Sequence, residues 1–196
     1  TVVINVGSGD EYGEVLPEEL PVTEAAELRP INPYAVSKVT QDLMAYQYWK
    51  SRGVKAVRCR PFNHFGPRQS PNFVASSFAK QIAEIETGLT SEKVMKVGNL
   101  DANKDFLDVR DVVNAYELLM DKGVYGEVYN ICSGRAIKIR AILETLLSLS
   151  NEKIEVPQDE LMKRPMEAKT VYGSNARLRS LGWEPVHTIA DGLNGL

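Results

Sequence analysis

Short apolar runs alternate with longer amphipathic stretches along the 196 residues of this chain. The apolar runs are rich in β-branched residues, which is typical of strands buried in a parallel sheet. The first run, residues 1–6, is nearly continuous and ends at Gly7, so it predicts a strand buried on both faces. The other predicted strands cover residues 54–60, 94–97 and 127–131.

Helices are predicted between these strands. The clearest covers residues 34–52, because Pro33 suits a first helical position and no Gly or Pro follows until Gly53. Asp108 is the predicted N-cap of a helix that reaches Lys122. Further helices are predicted over residues 73–87 and 138–150, and another begins at residue 188. Because strands alternate with helices, the sequence predicts an α/β fold with a mainly parallel sheet.

Composition and charge argue against several classes of function. A net charge of −3 with scattered basic residues gives no reason to expect nucleic acid or an anionic membrane as a partner. No apolar run approaches the ~20 residues of a membrane span and there is no signal peptide, so a cytoplasmic location is expected. Cys59 and Cys132 are predicted to be buried thiols of a reducing compartment. With His64 and His187 as the only histidines, no metal site is expected.

Tyr34 and Lys38 are the first candidates for chemistry. They are four residues apart on the predicted helix, so they lie on one face within reach of each other. A phenol has an ordinary pKa of about 10, and a nearby ammonium favours its ionised form. Tyr-x-x-x-Lys is therefore a sensible acid/base pair, although an amphipathic helix with a buried Tyr and a solvated Lys would show the same spacing.

Two loops follow the carboxyl ends of predicted strands, where ligands bind in open α/β sheets. Residues 7–13 place the Ser8 hydroxyl and the carboxylates of Asp10 and Glu11 between glycines, although a solvated turn could look the same. Residues 61–68 form the second loop. No G-x-G-x-x-G turn occurs in the sequence, so the pyrophosphate loop of a dinucleotide site is not expected within it.

Together with Ser8 and the Tyr34–Lys38 pair, a series of short motifs covers essentially the whole chain. They are GSGDEYG (7–13), RPFNHFGP (60–67), VGNLD (97–101), KDFLDVRD (104–111), YNICSG (129–134), RPME (164–167) and LGWEP (181–185). In this order the motifs resemble the extended short-chain dehydrogenase/reductase superfamily, whose members act on nucleotide sugars. Within it, the stretches around Asn63 and Asn99 are most similar to the enzymes of GDP-deoxyhexose synthesis.

The resemblance implies the C-terminal part of a Rossmann-type parallel sheet and a small α/β substrate-binding lobe. Family members begin with about a hundred further residues that carry the Gly-rich turn, so the N-terminal dinucleotide-binding half is expected to be missing. Residues 1–70 would be the catalytic half of the Rossmann domain. Residues 71–196 would mainly form the nucleotide-sugar lobe, with interleaved strands that return to the Rossmann sheet.

The resemblance also implies roles for single residues. Tyr34 would protonate the sugar O4 as hydride reaches C4, Lys38 would assist it and bond the nicotinamide ribose, and Ser8 would hold the same oxygen. The cofactor would be NADP or NAD, since the residue that selects between them lies upstream. Further cofactor contacts are implied for Pro61, Phe62 and His64, and substrate contacts for Asn63, Asn72, Lys104, Arg164 and Glu167.

Asp10 separates the two reactions that the resemblance implies. Dehydration of GDP-mannose uses a glutamate at this position to remove the C5 proton, and Asp10 is one methylene shorter. Reduction of the C4 ketone of GDP-4-keto-6-deoxy-D-mannose is therefore favoured over dehydration or epimerisation of a nucleotide sugar. A catalytically silent sugar-nucleotide binding fragment is the alternative of a different class. A homodimer through the helix of residues 34–52 is expected, because that helix is apolar on more than one face.

Overall fold

The computed structural model describes residues 1–157 and 170–196. The strands are β1 (Val3–Val6), β2 (Ala56–Pro61), β3 (Asn63–Phe65), β4 (Asn103–Lys104), β5 (Phe106–Asp108), β6 (Val128–Ile131), β7 (Ile137–Lys138) and β8 (Thr170–Val171). The helices are α1 (Pro33–Arg52), α2 (Val74–Glu86), α3 (Val109–Lys122), α4 (Ile139–Leu149), α5 (Ala176–Arg179) and α6 (Ile189–Leu193). Short 3-10 turns lie at Gly9–Tyr12 and Pro17–Glu19.

A parallel sheet of β1, β2 and β6, in the order β1-β2-β6, positions the site. Val6 of β1 lies opposite Cys59 of β2, and Cys59 lies opposite Tyr129 of β6. Because the three strands run in the same direction, their carboxyl ends meet at one edge of the sheet. The predicted α/β class with a parallel sheet is therefore confirmed.

Strand β1 differs from its prediction. It begins at Val3, which is 45% exposed. The prediction of a strand buried on both faces is therefore wrong for this chain. The physical reason is its position, because β1 lies at the edge of the sheet as the described residues form it.

Helix α1 begins and ends where the sequence predicts. The Asn32 side chain caps its first turn by accepting a hydrogen bond from the Ala35 N–H at 2.8 Å. The helix ends at Gly53, which adopts the left-handed conformation with φ 66°. Helix α1 packs on β1 and β2, and Ala35 and Asp42 are its fully buried residues. Its remaining surface is largely exposed.

Helices α3 and α5 pack on this parallel sheet, whereas α2 and α4 surround a separate apolar core. Helices α2 and α4 pack against each other, and strand β4 pairs antiparallel with β7 and parallel with β8. Residues 94–97 do not form the predicted strand, since Val94 and Val97 are single bridge residues, Val94 bridging to Glu155. Met95 and Val97 instead fill the core beneath α2 and α4, so their apolar character reflects packing without a strand ladder.

Two further predictions from the sequence are confirmed, the N-cap at Asp108 and the burial of both cysteines. The Asp108 carboxylate accepts a hydrogen bond from the Arg110 N–H at 2.8 Å, as expected of the N-cap of α3. Cys59 and Cys132 are both buried and free. Among the described residues, no helix is long and apolar enough to cross a membrane, and no cluster suitable for a metal ion occurs.

Candidate active site

A cleft of about 780 Å³ opens at the carboxyl ends of β1 and β2. Its lining combines glycine backbone, aromatic rings and a few polar side chains, which is the usual character of a small-molecule site. The cleft brings together nine residues that the sequence predicts for the site: Ser8, Asp10, Tyr34, Lys38, Pro61, Phe62, Asn63, His64 and Lys104.

The segment after β1 presents Ser8 and Asp10. Ser8 precedes the 3-10 turn, and its hydroxyl oxygen accepts a hydrogen bond from the Asp10 N–H at 3.1 Å. Within residues 1–157 and 170–196 the hydroxyl donates no hydrogen bond, so its proton can be offered to a ligand. Gly13 closes the segment with φ 61°, and a Cβ at this position would lie 1.6 Å from the Arg29 carbonyl oxygen. Only glycine fits here, so the turn that presents Ser8 is fixed by the backbone.

Tyr34 and Lys38 face the cleft from the first two turns of α1. The Lys38 ammonium lies 5.8 Å from the centre of the Tyr34 ring and donates to the Val6 carbonyl oxygen at 2.9 Å. Val6 is the last residue of β1, so Lys38 connects helix α1 to the strand that leads to Ser8. Tyr34 itself is 52% exposed, which leaves its phenol available to a ligand.

The segment after β2 supplies another part of the lining. The loop predicted there contains strand β3, which pairs parallel with β5. The Asn63 amide donates to the Asp105 carbonyl oxygen at 3.1 Å. His64 Nδ1 lies 2.9 Å from the Phe62 carbonyl oxygen, which can only accept, so Nδ1 is the donor. The other ring nitrogen, Nε2, makes no hydrogen bond to the part of the chain that the structure describes and can accept one from a ligand.

Sequence reasoning missed Arg68 as a site residue. It lines the cleft, and with φ 68° it is the non-glycine residue of the described chain that has a positive φ. A non-glycine residue in this region is uncommon, and such conformations concentrate at functional sites. Gln69 supports the segment by donating to the His64 carbonyl oxygen at 2.7 Å. The available signal in the sequence was the position of Arg68 directly after Gly66-Pro67.

The burial of Glu11 also differs from what the sequence suggests. The sequence suggests a carboxylate on an exposed loop, but Glu11 is 0% exposed and points into the protein. Burial raises the pKa of the Glu11 carboxyl, while the adjacent Arg60 guanidinium opposes that rise. The partner was not visible in the sequence because Arg60 lies on β2, a separate strand.

Asn72 is the one remaining predicted site residue that the structure describes. Asn72 is exposed and is not part of the cleft lining, although Phe73 and Val74 are. Its role in substrate binding stays a prediction. Arg164 and Glu167 fall outside the described residues.

Comparison with known proteins agrees with this geometry. The family described as GDP-mannose 4,6 dehydratase matches residues 1–196. The GDP-6-deoxy-D-mannose reductase of Pseudomonas aeruginosa is 41% identical over 192 residues, covering 97% of this chain and 63% of that protein. The GDP-6-deoxy-D-talose 4-dehydrogenase of Aggregatibacter actinomycetemcomitans is 28% identical over 157 residues, covering 80% of this chain and 51% of that protein.

Solved structures give the same result. The structure of "RMD" from Pseudomonas aeruginosa, complexed with NADPH, matches with a TM-score of 0.92 and 41% identity, covering 98% of this chain and 64% of that one. A Thermus thermophilus UDP-glucose 4-epimerase in complex with NAD matches with a TM-score of 0.84 and 26% identity, covering 98% and 61%. This chain therefore spans less than two thirds of the length of these relatives. Since the family match runs along its whole length, the chain belongs to the GDP-mannose 4,6 dehydratase family, within the extended short-chain dehydrogenase/reductases.

Proposed function

We propose that the full-length protein containing this chain is an NAD(P)-dependent reductase of a nucleotide sugar. Its substrate would be GDP-4-keto-6-deoxy-D-mannose, reduced at the C4 ketone. The observation that carries the proposal is the meeting of Ser8, Tyr34 and Lys38 in one cleft at the carboxyl edge of the sheet. The 41% identity to a GDP-6-deoxy-D-mannose reductase supports this choice of substrate.

The residues present fit the nicotinamide end of a dinucleotide. Pro61 and Phe62 offer an apolar wall for a planar ring, and Lys38 and His64 carry polar nitrogens on the lining of the same cleft. When bound, NADP or NAD in its reduced form supplies the hydride to C4. The two solved relatives compared above hold NADPH and NAD, which supports either cofactor.

Tyr34 is the proposed general acid. As negative charge develops on O4, the phenol donates its proton to that oxygen, and the nearby Lys38 ammonium stabilises the phenolate that remains. The Ser8 hydroxyl donates a hydrogen bond to the same oxygen and holds it in line. The side chains that donate to O4, Tyr34 and Ser8, and the Lys38 ammonium that assists Tyr34 all line the cleft.

The basic side chains of the cleft suit the diphosphate of the substrate. Lys104 on β4 and Arg68 after β3 both line the cleft, and a guanidinium can bond two phosphate oxygens at once. Asn63 would contact the sugar-nucleotide. Asn72, Arg164 and Glu167 remain proposed substrate contacts, the last of them to the nucleoside ribose.

Turnover assays on the full-length protein test the proposal. GDP-4-keto-6-deoxymannose, GDP-mannose and a UDP-sugar are each offered with both cofactors. Reduction of the first substrate alone is the expected result. Binding of the sugar-nucleotide without any turnover would instead support the silent binding fragment, and intact mass with the encoding reading frame would show whether residue 1 is a true start.

Asp10 distinguishes the reductase from a 4,6-dehydratase. We expect Asp10→Asn to leave the reduction within about tenfold of wild type, because hydride transfer at C4 needs no proton from C5. In a dehydratase the same change would remove the base and cost roughly 10²–10⁴-fold. Two rates are measured for wild type and variant: the reduction of GDP-4-keto-6-deoxymannose, and the formation of 4-keto product from GDP-mannose.

Asp121→Asn is the matched control for this variant, because Asp121 is exposed and lies outside the cleft lining. It should change neither reaction. Robust dehydration by the wild type that is lost only in Asp10→Asn would show that the dehydratase alternative is correct.

We further propose a homodimer that assembles through α1. Large apolar side chains cover the exposed face of this helix: Val36, Leu43, Met44, Tyr46 and Tyr48 are between 40% and 56% exposed. A face of this kind favours burial in an interface above ~1,000 Å². Light scattering of the full-length protein should give a dimer mass, which Leu43→Glu lowers and Leu89→Glu, at a 79% exposed residue elsewhere, does not. A monomer mass for the wild type at micromolar concentration would refute the dimer.

A cytoplasmic location completes the proposal, and the free buried thiols Cys59 and Cys132 support it.

A further inference from the structure

A buried network of charges lies directly behind the catalytic segment. Its centre is Arg60 of β2, which is 4% exposed. The guanidinium uses all three of its nitrogens: Nε donates to Glu11 at 3.0 Å, one terminal nitrogen to Asp42 at 2.6 Å and the other to the Tyr12 hydroxyl at 3.1 Å. Glu11, Asp42 and Tyr12 are each no more than 1% exposed.

One arm of the network reaches Ser8. The second carboxylate oxygen of Glu11 accepts a hydrogen bond from the Ser8 N–H at 2.8 Å. Glu11 therefore joins the backbone of Ser8 to Arg60 with its two oxygens. The fit is close, because a Cβ on Gly7 would lie 2.2 Å from that same oxygen. A side chain at position 7 would therefore displace the Glu11 carboxylate from this position.

The other arm reaches the catalytic helix. Asp42 lies eight residues after Tyr34 and four after Lys38, so the three side chains share one face of α1. Asp42 also accepts from Arg58 at 3.2 Å, while Arg58 donates to the Gly126 carbonyl oxygen at 2.9 Å. The two carboxylates and two guanidinia balance in charge, as buried ionised groups require.

We propose that Arg60 is a positioning residue that sets the place of the Ser8 hydroxyl relative to the Tyr34–Lys38 pair. It touches neither cofactor nor substrate and acts through Glu11 on the Ser8 backbone and through Asp42 on α1. The effect on turnover rests on the proposed function, whereas the effect on the Ser8 segment does not.

The geometry needs a guanidinium. Its planar fork meets three partners in three directions, whereas an ammonium on a flexible stem is a point charge with no fixed fork. Arg60→Lys therefore keeps the charge balance of the network but loses its geometry. A displacement of about 1 Å at a reacting group can cost roughly 10²-fold in rate.

The first experiment compares Arg60→Lys with Arg58→Lys in the full-length enzyme. Both arginines pair with Asp42, but only Arg60 reaches Glu11 and hence Ser8. We expect Arg60→Lys to lower kcat by about 30–100-fold with KM within about threefold. Arg58→Lys should lower thermal stability by a comparable amount and leave kcat within about twofold. Equal kcat values for the two variants would overturn the proposal, because a purely structural role predicts that result.

Two further measurements complete the test. Against a Ser8→Ala background, Arg60→Lys should cost less than about fivefold in kcat, because the shared path through Ser8 makes the effects non-additive. Without substrate, amide hydrogen exchange in residues 7–13 should be about fivefold faster or more in Arg60→Lys and unchanged in Arg58→Lys. This exchange arm decides the inference even if the wild type reduces no nucleotide sugar, a result that would refute only the proposed function.

If Arg60→Lys does not fold, Glu11→Gln replaces it. This variant keeps an oxygen for the Ser8 N–H but removes the negative charge of Glu11 that pairs with Arg60. The same loss of kcat and the same faster exchange are expected. Wild-type kcat together with wild-type exchange in Glu11→Gln would overturn the proposal.

Discussion

Tyr34→Phe in the full-length enzyme should lower kcat by roughly 10²–10⁴-fold, the range that general acid catalysis contributes. KM should stay within about threefold, because the phenol acts in the transition state and adds little ground-state affinity. In the described part of the chain the Tyr34 hydroxyl makes no hydrogen bond, so its loss should leave the fold intact. The measurement is the steady-state rate of reduction with wild type and variant.

Tyr48→Phe is the matched control for Tyr34→Phe. Tyr48 lies on the same helix with a similar exposure, 49% against 52%, but it does not line the cleft. It should keep wild-type kcat. A Tyr34→Phe variant that retained more than about a tenth of kcat would remove the assignment of Tyr34 as proton donor.

Asp105→Ala should lower the free energy of unfolding by about 3 kcal/mol or more. The Asp105 carboxylate is 0% exposed and accepts hydrogen bonds from the backbone N–H groups of Ser133 at 2.7 Å, Gly134 at 3.1 Å and Gly173 at 3.3 Å. Removing the carboxylate leaves these donors without an acceptor. It also disconnects the segment of Asp105 from residues 133–134 and from Gly173. Denaturant unfolding of the full-length protein measures the change.

Asp101→Asn serves as the comparison, since the Asp101 side chain is 66% exposed. It should change the free energy of unfolding by less than about 0.5 kcal/mol. If Asp105→Ala behaved like Asp101→Asn, the carboxylate would not be the link between these segments.

Local signals explain the elements that could be predicted. Helix α1 has Asn32 and Pro33 before it and Gly53 after it, and these residues act within one turn of the helix ends. The cap at Asp108 is equally local. The two-residue strands β4, β7 and β8 have no such signal, because their pairing is decided by partners far along the chain. The same reason explains residues 94–97, whose apolar side chains serve a core and not a ladder.

The site follows a similar division. Tyr34 and Lys38 could be placed together from sequence because Tyr-x-x-x-Lys spans one helical turn, and the loop of Ser8 because it follows a strand of a parallel sheet. The family resemblance is what joined Ser8 to the pair. The burial of Glu11 could not, since it depends on Arg60 in a strand that is adjacent only after folding. Arg68 shows its backbone conformation only in three dimensions.

The interleaving of the strands limits how this protein can be recombined with its relatives. Strand β6 returns to the sheet beside β2, and β3 pairs with β5 across helix α2 in the sequence. A chimera with a single crossover near residue 70 would replace β6 and β5 while keeping their partners. Exchanging substrate specificity with another member of the family therefore calls for at least two crossovers, with β5, α3 and β6 left in the parent chain.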